Sequence, residues 1–324
     1  MTVALIDADI IAYRAAAKTM DRFDDVLIGD PKTAIREADL LVEHWTRVVK
    51  PNKIIMCWSC PSRVYFRHDI YPEYKGNRKG SESPPALSAV IEYLKDKHQS
   101  VHFAGLEADD VLGILSGHPD LKNPVVISID KDMHTLPTKF YNPDRMTRPL
   151  RTNRGMADRL IYKQALTGDS VDNYRGIPGI GPAKAEKILD SGSQQNLWQS
   201  TVAAFVDNRL TTKYAITMMQ LARILRFEDY NYTTGEVKLW HPTETIWHKP
   251  SALPTTSSET ASKPSITLLQ SARNSKATKR SASATSSNTS ADTPPKADRK
   301  RTSKKRSGIS RGSSKSSTKG VSND

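Results

Sequence analysis

The chain has 324 residues, of which 37% are hydrophobic, and carries a formal net charge of +13, so its length suggests about two domains. Its apolar runs all fall short of the roughly 20 residues that a membrane-spanning helix needs, and Asp7 stands where a signal peptide would stay apolar. These features argue against a membrane protein, and we expect a soluble, cytoplasmic protein of a reducing compartment.

Short apolar segments alternate with amphipathic segments over the first 155 residues. The predicted strands cover residues 3–6, 53–58, 101–103 and 124–129. The predicted helices cover residues 10–18, 33–49, 85–97 and 108–115. This alternation predicts an α/β fold with a mostly parallel sheet flanked by helices on both faces. Ligands of such folds bind beyond the carboxyl ends of the strands.

The second predicted strand runs into Cys57-Trp-Ser-Cys60, which contains the two cysteines of the chain. This spacing is compatible with a redox pair or with half of a zinc site. A zinc site normally needs two further ligands, and the sequence has no second Cys pair. The sequence therefore favours two reduced thiols after a buried strand.

A helical region and a basic tail follow the predicted sheet. The predicted helices cover residues 158–167, 182–189, 197–206 and 213–226, and a hairpin is predicted over 232–240. Residues 251–324 carry nine Lys and six Arg against four acids, a net charge of +11. Their composition predicts disorder and adds attraction to nucleic acid, although a flexible appendage without that role also fits. We expect three parts, at residues 1–155, 156–250 and 251–324.

Eight acidic residues at predicted strand and helix ends give the strongest functional signal. They are Asp7, Glu107, Asp109, Asp110, Asp130, Asp132, Asp169 and Asp172. Two unit charges about 4 Å apart repel by roughly 4 kcal/mol near a protein surface, so converging acids need shifted pKa values or a cation. Hard oxygen ligands suit Mg²⁺ or Mn²⁺, and a pair of such ions is the standard device for cleaving phosphodiesters.

Local structural roles are also compatible with these acids. Each Asp alone is equally typical of a helix cap or a solvated turn. Asp9 is compatible with a metal ligand or with the cap of the helix predicted to begin at Ile10, and the cap is favoured. Three clusters at predicted element ends favour a shared metal site for the rest.

A glycine-rich segment, Gly176-Ile-Pro-Gly179-Ile-Gly181-Pro-Ala-Lys184, connects two predicted helices. Free amides at the start of the second helix would form an anion site, and Lys184 adds a cation. This pattern predicts a helix-hairpin-helix that holds a DNA backbone through Gly179, Gly181 and Lys184 without reading bases. A plain helix–helix turn is the alternative.

Basic and aromatic residues are interleaved in Arg63-Val-Tyr-Phe-Arg67-His68 and in Tyr74-Lys75-Gly-Asn-Arg78-Lys79. This composition suits phosphate contacts and base stacking, so Arg67 and Tyr74 are candidate DNA-binding residues. A charge run that simply faces water is the competing interpretation. Residues 76–85 are polar, and we expect them to be mobile.

Taken together, these motifs resemble those of the phage-type 5′→3′ exonuclease and flap endonuclease family. The resemblance rests on Tyr74-Lys-Gly-Asn-Arg78, Leu106-Glu-Ala-Asp-Asp110, Ser128-Ile-Asp-Lys-Asp132, Gly168-Asp-Ser-Val-Asp-Asn173, the glycine-rich segment and Leu221-Ala-Arg-Ile-Leu-Arg226. It runs from about residue 3 to about residue 242. It implies a nuclease core at 1–155 with a mobile arch near 63–95, and a helix-hairpin-helix region at 156–250.

The resemblance also implies roles for matching positions. Asp7, Glu107 and Asp109 would hold a first metal with Asp110 in its outer shell, and Asp169 and Asp172 would hold a second. Asp130 and Asp132 would lie between the two. Lys75 and Arg78, at the base of the arch, would be catalytic and steer the scissile phosphate. The hairpin of this family can also bind K⁺ through backbone carbonyls.

One departure from the family pattern concerns the end of the second predicted strand. The family usually carries an Asp there, shortly before the Phe-Arg of the arch, whereas this chain has Ser59-Cys60-Pro61-Ser62. Asp69 follows Phe66-Arg67 and is a poor substitute. Either Ser59 replaces the carboxylate or its role passes to water, and the first metal site would then be weaker.

The resemblance predicts a Mg²⁺- or Mn²⁺-dependent nuclease that acts from 5′ ends or flaps of duplex DNA, and that could also remove RNA from RNA–DNA hybrids. If the protein is encoded by a phage, its location would be the host cytoplasm. A non-catalytic helix-hairpin-helix DNA-binding protein and a structure-specific ribonuclease are the alternatives. Neither the preference between exonuclease and flap cutting nor the oligomeric state is indicated by the sequence.

Overall fold

The computed structural model describes residues 1–78, 80, 82–191 and 196–242. The basic tail predicted at 251–324 and Lys79 lie outside these residues. None of the helices within the described ranges combines the length and the apolar character needed to cross a membrane.

Six strands form the central sheet, in the order β5-β4-β1-β6-β7-β8. Their bounds are β1 Val3–Asp7, β4 Lys53–Cys57, β5 Gln99–Val101, β6 Pro124–Ile127, β7 Lys139–Tyr141 and β8 Leu150–Arg151. The first strand lies in the middle and pairs in parallel with both β4 and β6. Within the described residues β8 alone runs antiparallel to its neighbour in this sheet. The mostly parallel sheet predicted from the sequence is therefore confirmed.

Helices cover both faces of this sheet. The helices of this part are α1 Ala8–Lys18, α2 Pro31–Thr46, α3 Phe66–Ile70, α4 Leu87–Lys97 and α5 Ala108–Ser116. Side chains of β1 alternate between the faces, so Ala4 and Ile6 join the core that contains Trp45, whereas Leu5 packs with Leu112. All five residues of β1 are buried, as expected for a strand covered on both sides.

The helical region begins after β8. It contains α6 Arg154–Thr167, α7 Pro182–Asp190, α8 Leu197–Asp207 and α9 Thr212–Ala222. These helices enclose a separate apolar core that includes Leu166, Leu189, Phe205 and Met218. The predicted helices at 158–167, 182–189 and 197–206 are confirmed within a few residues.

The last helix is shorter than the predicted segment 213–226. After Ala222 the backbone makes tertiary contacts in place of helical ones. The carbonyl of Arg223 accepts a hydrogen bond from Arg67 Nη2 at 2.8 Å, and the N–H of Leu225 donates to Asp110 Oδ1 at 3.0 Å. Helical periodicity in the sequence carries no information about these partners, which lie more than 100 residues away.

Two hairpins differ from expectation. The predicted hairpin at 232–240 is reduced to a single antiparallel bridge between Tyr230 and Val237. A hairpin that was not predicted joins β2 Met20–Phe23 to β3 Val26–Gly29. Its turn residues Asp24 and Asp25 both have positive φ, at 47° and 62°, which is the backbone that a tight two-residue hairpin needs.

Two glycines close the loop that carries the last acidic cluster. The short strands β9 Gly168–Asp169 and β10 Tyr174–Arg175 pair antiparallel after α6. A Cβ on Gly176 would lie 2.3 Å from the carbonyl oxygen of Leu166, and a Cβ on Gly168 would lie 2.3 Å from the N–H nitrogen of Gly176. Only glycine permits this approach of backbone to backbone.

We predict that Gly176→Ala lowers the free energy of unfolding by more than about 2 kcal/mol, because backbone atoms cannot move aside as a side chain can. Urea denaturation measures this change. Gly181→Ala in the same segment is the matched control, since nothing lies within 4 Å of its Cβ position. The control should stay within about 0.5 kcal/mol of the parent. Equal stability of both variants would contradict the close approach.

Candidate active site

Three acidic groups meet at the carboxyl edge of the sheet because neighbouring parallel strands end there. Asp7 ends β1, and its Oδ2 accepts a hydrogen bond from Ser128 Oγ at 2.9 Å just after the adjacent β6. Asp130 follows the same strand and caps a 3-10 turn through the N–H of Asp132 at 2.8 Å. Glu107 and Asp109 stand at the start of α5.

These acids line one cavity of about 790 Å³. The acidic side chains around it are Asp7, Asp9, Glu107, Asp109, Asp130, Asp132, Asp169 and Asp172. Seven of the eight acids that the sequence singled out therefore share a cavity, and Asp110 is the one that does not line it. The clusters come together although they are separated by up to 165 positions in the chain.

Basic side chains enter the cavity from the segment before α4. The ammonium of Lys75 forms an ion pair with Glu107 and lies 3.5 Å from Asp172 Oδ1. The guanidinium of Arg78 donates to Asp172 Oδ1 at 2.8 Å. The backbone N–H of Lys75 also donates to the carbonyl of Asp172 at 2.9 Å. Lys75 and Arg78, the two predicted catalytic cations, therefore lie against the carboxylates that line this cavity, which we call the acidic wall.

Several of the acids face one another without enough positive charge to balance them. Burial raises the pKa of Asp7 to about 7, and the charges of Asp9 and Asp130 contribute to the increase. Burial and the charges of Asp7 and Asp130 likewise raise the pKa of Asp109 well above its usual range. Such mutual repulsion is the property that a bound cation would relieve.

The second side of the cavity shows the same behaviour. Burial raises the pKa of Asp132 to about 6, and the neighbouring Asp130, Asp169 and Asp172 add to the increase. Gln164 Nε2 donates to Asp132 Oδ1 at 2.6 Å and holds this carboxylate toward the helical region.

Glu107 and Asp110 are paired with cations instead. Arg67 donates through Nη1 and Nη2 to both oxygens of Asp110, at 2.6 and 2.8 Å, and through Nη1 to Glu107 at 3.0 Å. Burial opposes ionisation of Glu107, but Lys75 and Arg67 hold its pKa below the usual value. Asp110 is fully buried and has a structural contact where the sequence suggested the outer shell of a metal.

Arg67 and Tyr74, the two suggested DNA contacts, are buried, and a contact with DNA stays a prediction for both. Both are only 3% exposed. The hydroxyl of Tyr74 donates toward Glu107 at 2.8 Å and Asp172 at 3.0 Å, so this ring supports the acidic wall from within. Interleaved basic and aromatic residues do not reveal which of them turn inward.

The capping role predicted for Asp9 is also wrong. Asp7 is the N-cap of α1, since its Oδ1 accepts from the N–H of Ile10 at 3.4 Å. Asp9 lies in the first turn and faces the cavity, where its Oδ2 accepts from the N–H of Ser59 at 3.2 Å. The recurrence of Asp in Asp7-Ala-Asp9 is the sequence signal for a second inward carboxylate. The general preference of Asp for helix caps points to the other interpretation.

The predicted hairpin contacts lie outside the cavity. Pro182 occupies the first position of α7, and Gly181 is its N-cap without a side-chain bond to the free amides. Gly179, Gly181 and Lys184 are all exposed, and Lys184 Nζ donates to the carbonyl of Gly179 at 3.0 Å. Gly179 has a φ of +77°, which places the turn in a conformation that favours glycine.

The cysteines behave as free thiols. Both Cys57 and Cys60 are buried and unbonded to each other. Burial raises the pKa of the Cys57 thiol well above its usual value, which disfavours the reactive thiolate. This arrangement agrees with the expected pair of thiols after a buried strand.

Residues 2–157 match the family model described as the 5′-3′ exonuclease, N-terminal resolvase-like domain. These residues therefore form a 5′-3′ exonuclease N-terminal domain. The protein is accordingly a 5′-3′ nuclease, and the fold and the resemblance predicted from the sequence are confirmed.

Two relatives from phages T3 and T7 agree with this assignment. The nuclease is 29% identical to the exodeoxyribonuclease of Enterobacteria phage T3 over 206 residues, which covers 53% of this chain and 68% of the relative. It is 27% identical to the exonuclease of Escherichia phage T7, covering 53% of this chain and 69% of the relative. The crystal structure of the T5 D15 protein co-crystallised with metal ions aligns with a TM-score of 0.49 at 21% identity, over 68% of this chain and 89% of that one.

The donor set of the nuclease fits divalent cations, since hard carboxylate oxygens surround the cavity and repel one another. In the described ranges no three His, Cys, Asp or Glu side chains stand close enough together to enclose an ion.

We predict opposite stability effects for two adjacent acids at pH 8 with a chelator present. Asp109→Asn should raise the free energy of unfolding by about 1 kcal/mol, because it removes a buried charge that other acids repel. Asp110→Asn should lower it by about 3 kcal/mol, because Arg67 loses its main buried partner. Thermal or urea denaturation measures both. A loss of stability in both variants would mean that the charge of Asp109 is balanced in the folded chain.

Proposed function

We propose that this nuclease hydrolyses phosphodiester bonds at 5′ ends of duplex DNA with the help of two divalent cations, Mg²⁺ or Mn²⁺. The observation that carries the proposal is the convergence of eight carboxylates on one cavity that also contains Lys75 and Arg78. A DNA-binding protein without catalysis has no use for such a surface, because unbalanced acids would repel phosphate.

The carboxylates divide into two groups by the charges that act on them. The charge of Asp130 acts on Asp7, and the charges of Asp7 and Asp130 act on Asp109, so these three would hold one ion. Asp130, Asp169 and Asp172 all add to the raised pKa of Asp132, and these carboxylates would hold the other ion. When bound, such ions lower the pKa of a water and stabilise the leaving oxygen in an in-line displacement.

Lys75 and Arg78 would bind and orient the scissile phosphate. Their cationic groups already point at Glu107 and Asp172 on the cavity wall. A phosphate that enters the cavity offers the same kind of partner, so the two side chains can exchange a carboxylate for a phosphate oxygen. Preorganised cations of this kind stabilise charge that develops in the transition state.

Duplex DNA is the substrate that the surroundings of the cavity favour. The exposed start of α7 offers unbonded backbone amides next to Lys184, which suits a phosphate of the duplex behind the cut. The T3 relative is an exodeoxyribonuclease, which supports DNA as the polymer. RNA–DNA hybrids remain a second substrate class, and backbone carbonyls of the hairpin remain candidates for K⁺.

The decisive experiment is a product ladder from a 5′-labelled duplex with and without Mg²⁺. We predict that Mg²⁺ is required, and that Asp130→Asn abolishes cleavage while binding of the duplex in chelator is retained. Mononucleotide products would indicate stepwise trimming, whereas short oligomers would indicate flap cutting. An RNA–DNA hybrid of the same sequence tests the second substrate class.

The control variant is Asp144→Asn, an acid that pairs with Arg14 at the surface and lies outside the cavity. It should cleave as the parent does. Cleavage by Asp130→Asn at the parental rate, or cleavage that persists in chelator, would rule out the proposed ion-dependent site.

A second prediction concerns the hairpin. Lys184→Ala should weaken duplex binding to a similar degree for different sequences and should reduce the slope of affinity against salt by about one ion. Lys122→Ala is the matched control, because Lys122 is exposed near the amino end of β6, at the opposite edge of the sheet. Fluorescence anisotropy at several salt concentrations compares the two. Equal effects of both variants would show attraction by net charge alone.

A further inference from the structure

The segment after β4, Ser59-Cys60-Pro61-Ser62, has no carboxylate where the family resemblance leads us to expect one, and Ser59 is its first residue. The Ser59 side chain lines the cavity, but its Oγ accepts the N–H of Ala108 at 3.0 Å and thereby caps the start of α5. This hydroxyl is committed to the helix, so it is a poor replacement for a charged ligand.

A carboxylate from another element reaches the same place. Asp9 Oδ2 accepts the backbone N–H of Ser59 at 3.2 Å, which puts a negative oxygen next to the residue where the acid is missing. Asp9 comes from the first turn of α1, two residues after Asp7, and both line the cavity. A carboxylate is therefore present near the end of β4, but it belongs to α1, which follows β1.

Neither helix capping nor ion pairing accounts for the position of the Asp9 carboxylate. Capping of α1 is already performed by Asp7. The cation that faces Asp9 is Arg63, at 3.7 Å, and the Arg63 side chain is 58% exposed. Exposed ion pairs at such a distance contribute little to stability. A negative charge in the first helical turn is favourable, but that preference does not require a bond to Ser59.

We infer that Asp9 supplies the carboxylate that Ser59 lacks, as a ligand to the divalent cation on the Asp7 side of the cavity, with the Ser59 N–H orienting it. The inference rests on the proposed function, because it assigns one more residue to the same site. With Asp9 in this role, neither the Ser59 hydroxyl nor a water has to stand in for the missing acid.

The test measures cation affinity directly in the full chain, by calorimetric titration with Mn²⁺ in the absence of DNA. Asp9→Asn should weaken Mn²⁺ binding by about 10- to 100-fold, in the range observed when metal-site groups are removed. Neither the melting temperature nor duplex binding in chelator should fall below the parental values. Asp24→Asn, an exposed acid in the β2–β3 turn, is the matched control and should bind Mn²⁺ normally.

Relocating the charge separates a ligand from a general electrostatic effect. The double variant Asp9→Asn with Ser59→Asp should recover Mn²⁺ affinity, because it returns a carboxylate to the end of β4. A double variant as weak as Asp9→Asn alone would overturn the inference. Arg63→Gln should not weaken Mn²⁺ binding, and a loss equal to that of Asp9→Asn would show that the ion pair is the important contact.

The outcomes also separate this inference from the proposed function. If Asp130→Asn loses Mn²⁺ binding and Asp9→Asn does not, the cation site stands and only the role of Asp9 is wrong. If both variants bind Mn²⁺ as the parent does, the cation site itself is wrong, and the inference is overturned with it.

Discussion

The buried contact between Arg67 and Asp110 is the interaction on which the rest of the molecule depends. Arg67 lies on the short helix α3, and its guanidinium reaches Asp110 on α5 and the carbonyls of Leu221 and Arg223 in and after α9. One side chain thereby connects α3 with α5, which packs on the sheet, and with the end of α9 in the helical region. A buried, bidentate ion pair of this kind is costly to break, because removing one partner leaves the other as an unpaired buried charge.

This contact also accounts for the different fates of two adjacent acids. Asp110 faces Arg67 and is balanced, whereas Asp109 is turned one helical step away and faces Asp7 and Asp130. The positive charge of Arg67 is shared between Asp110 and Glu107, so it leaves the charges of Asp7 and Asp109 unbalanced. The fold is therefore stable around a surface that is itself electrostatically unfavourable, which is typical of sites whose charge balance comes from a ligand.

The central sheet could be predicted well from the sequence because β1, β4 and β6 are buried runs whose apolar character does not depend on distant partners. The meeting of Asp7, Asp130 and Asp132 at one edge could be predicted too, since parallel neighbouring strands end together. The end of helix α9 at Ala222 could not, because tertiary hydrogen bonds to the backbone decide it. The inward turn of Arg67 and Tyr74 is likewise invisible in composition, which does not distinguish a buried cation from an exposed one.

The position of Lys75 has a consequence for how occupancy of the cavity is regulated. Its ammonium bridges Glu107 and Asp172, which belong to opposite sides of the acidic wall, and its backbone is tied to Asp172 as well. A phosphate that attracts Lys75 releases both carboxylates, and a cation that engages those carboxylates releases Lys75. By thermodynamic linkage each event then makes the other more favourable. In the free protein the Lys75 ammonium thus takes the place that a bound cation would occupy beside Glu107 and Asp172. Nucleic acid and ions would therefore bind cooperatively.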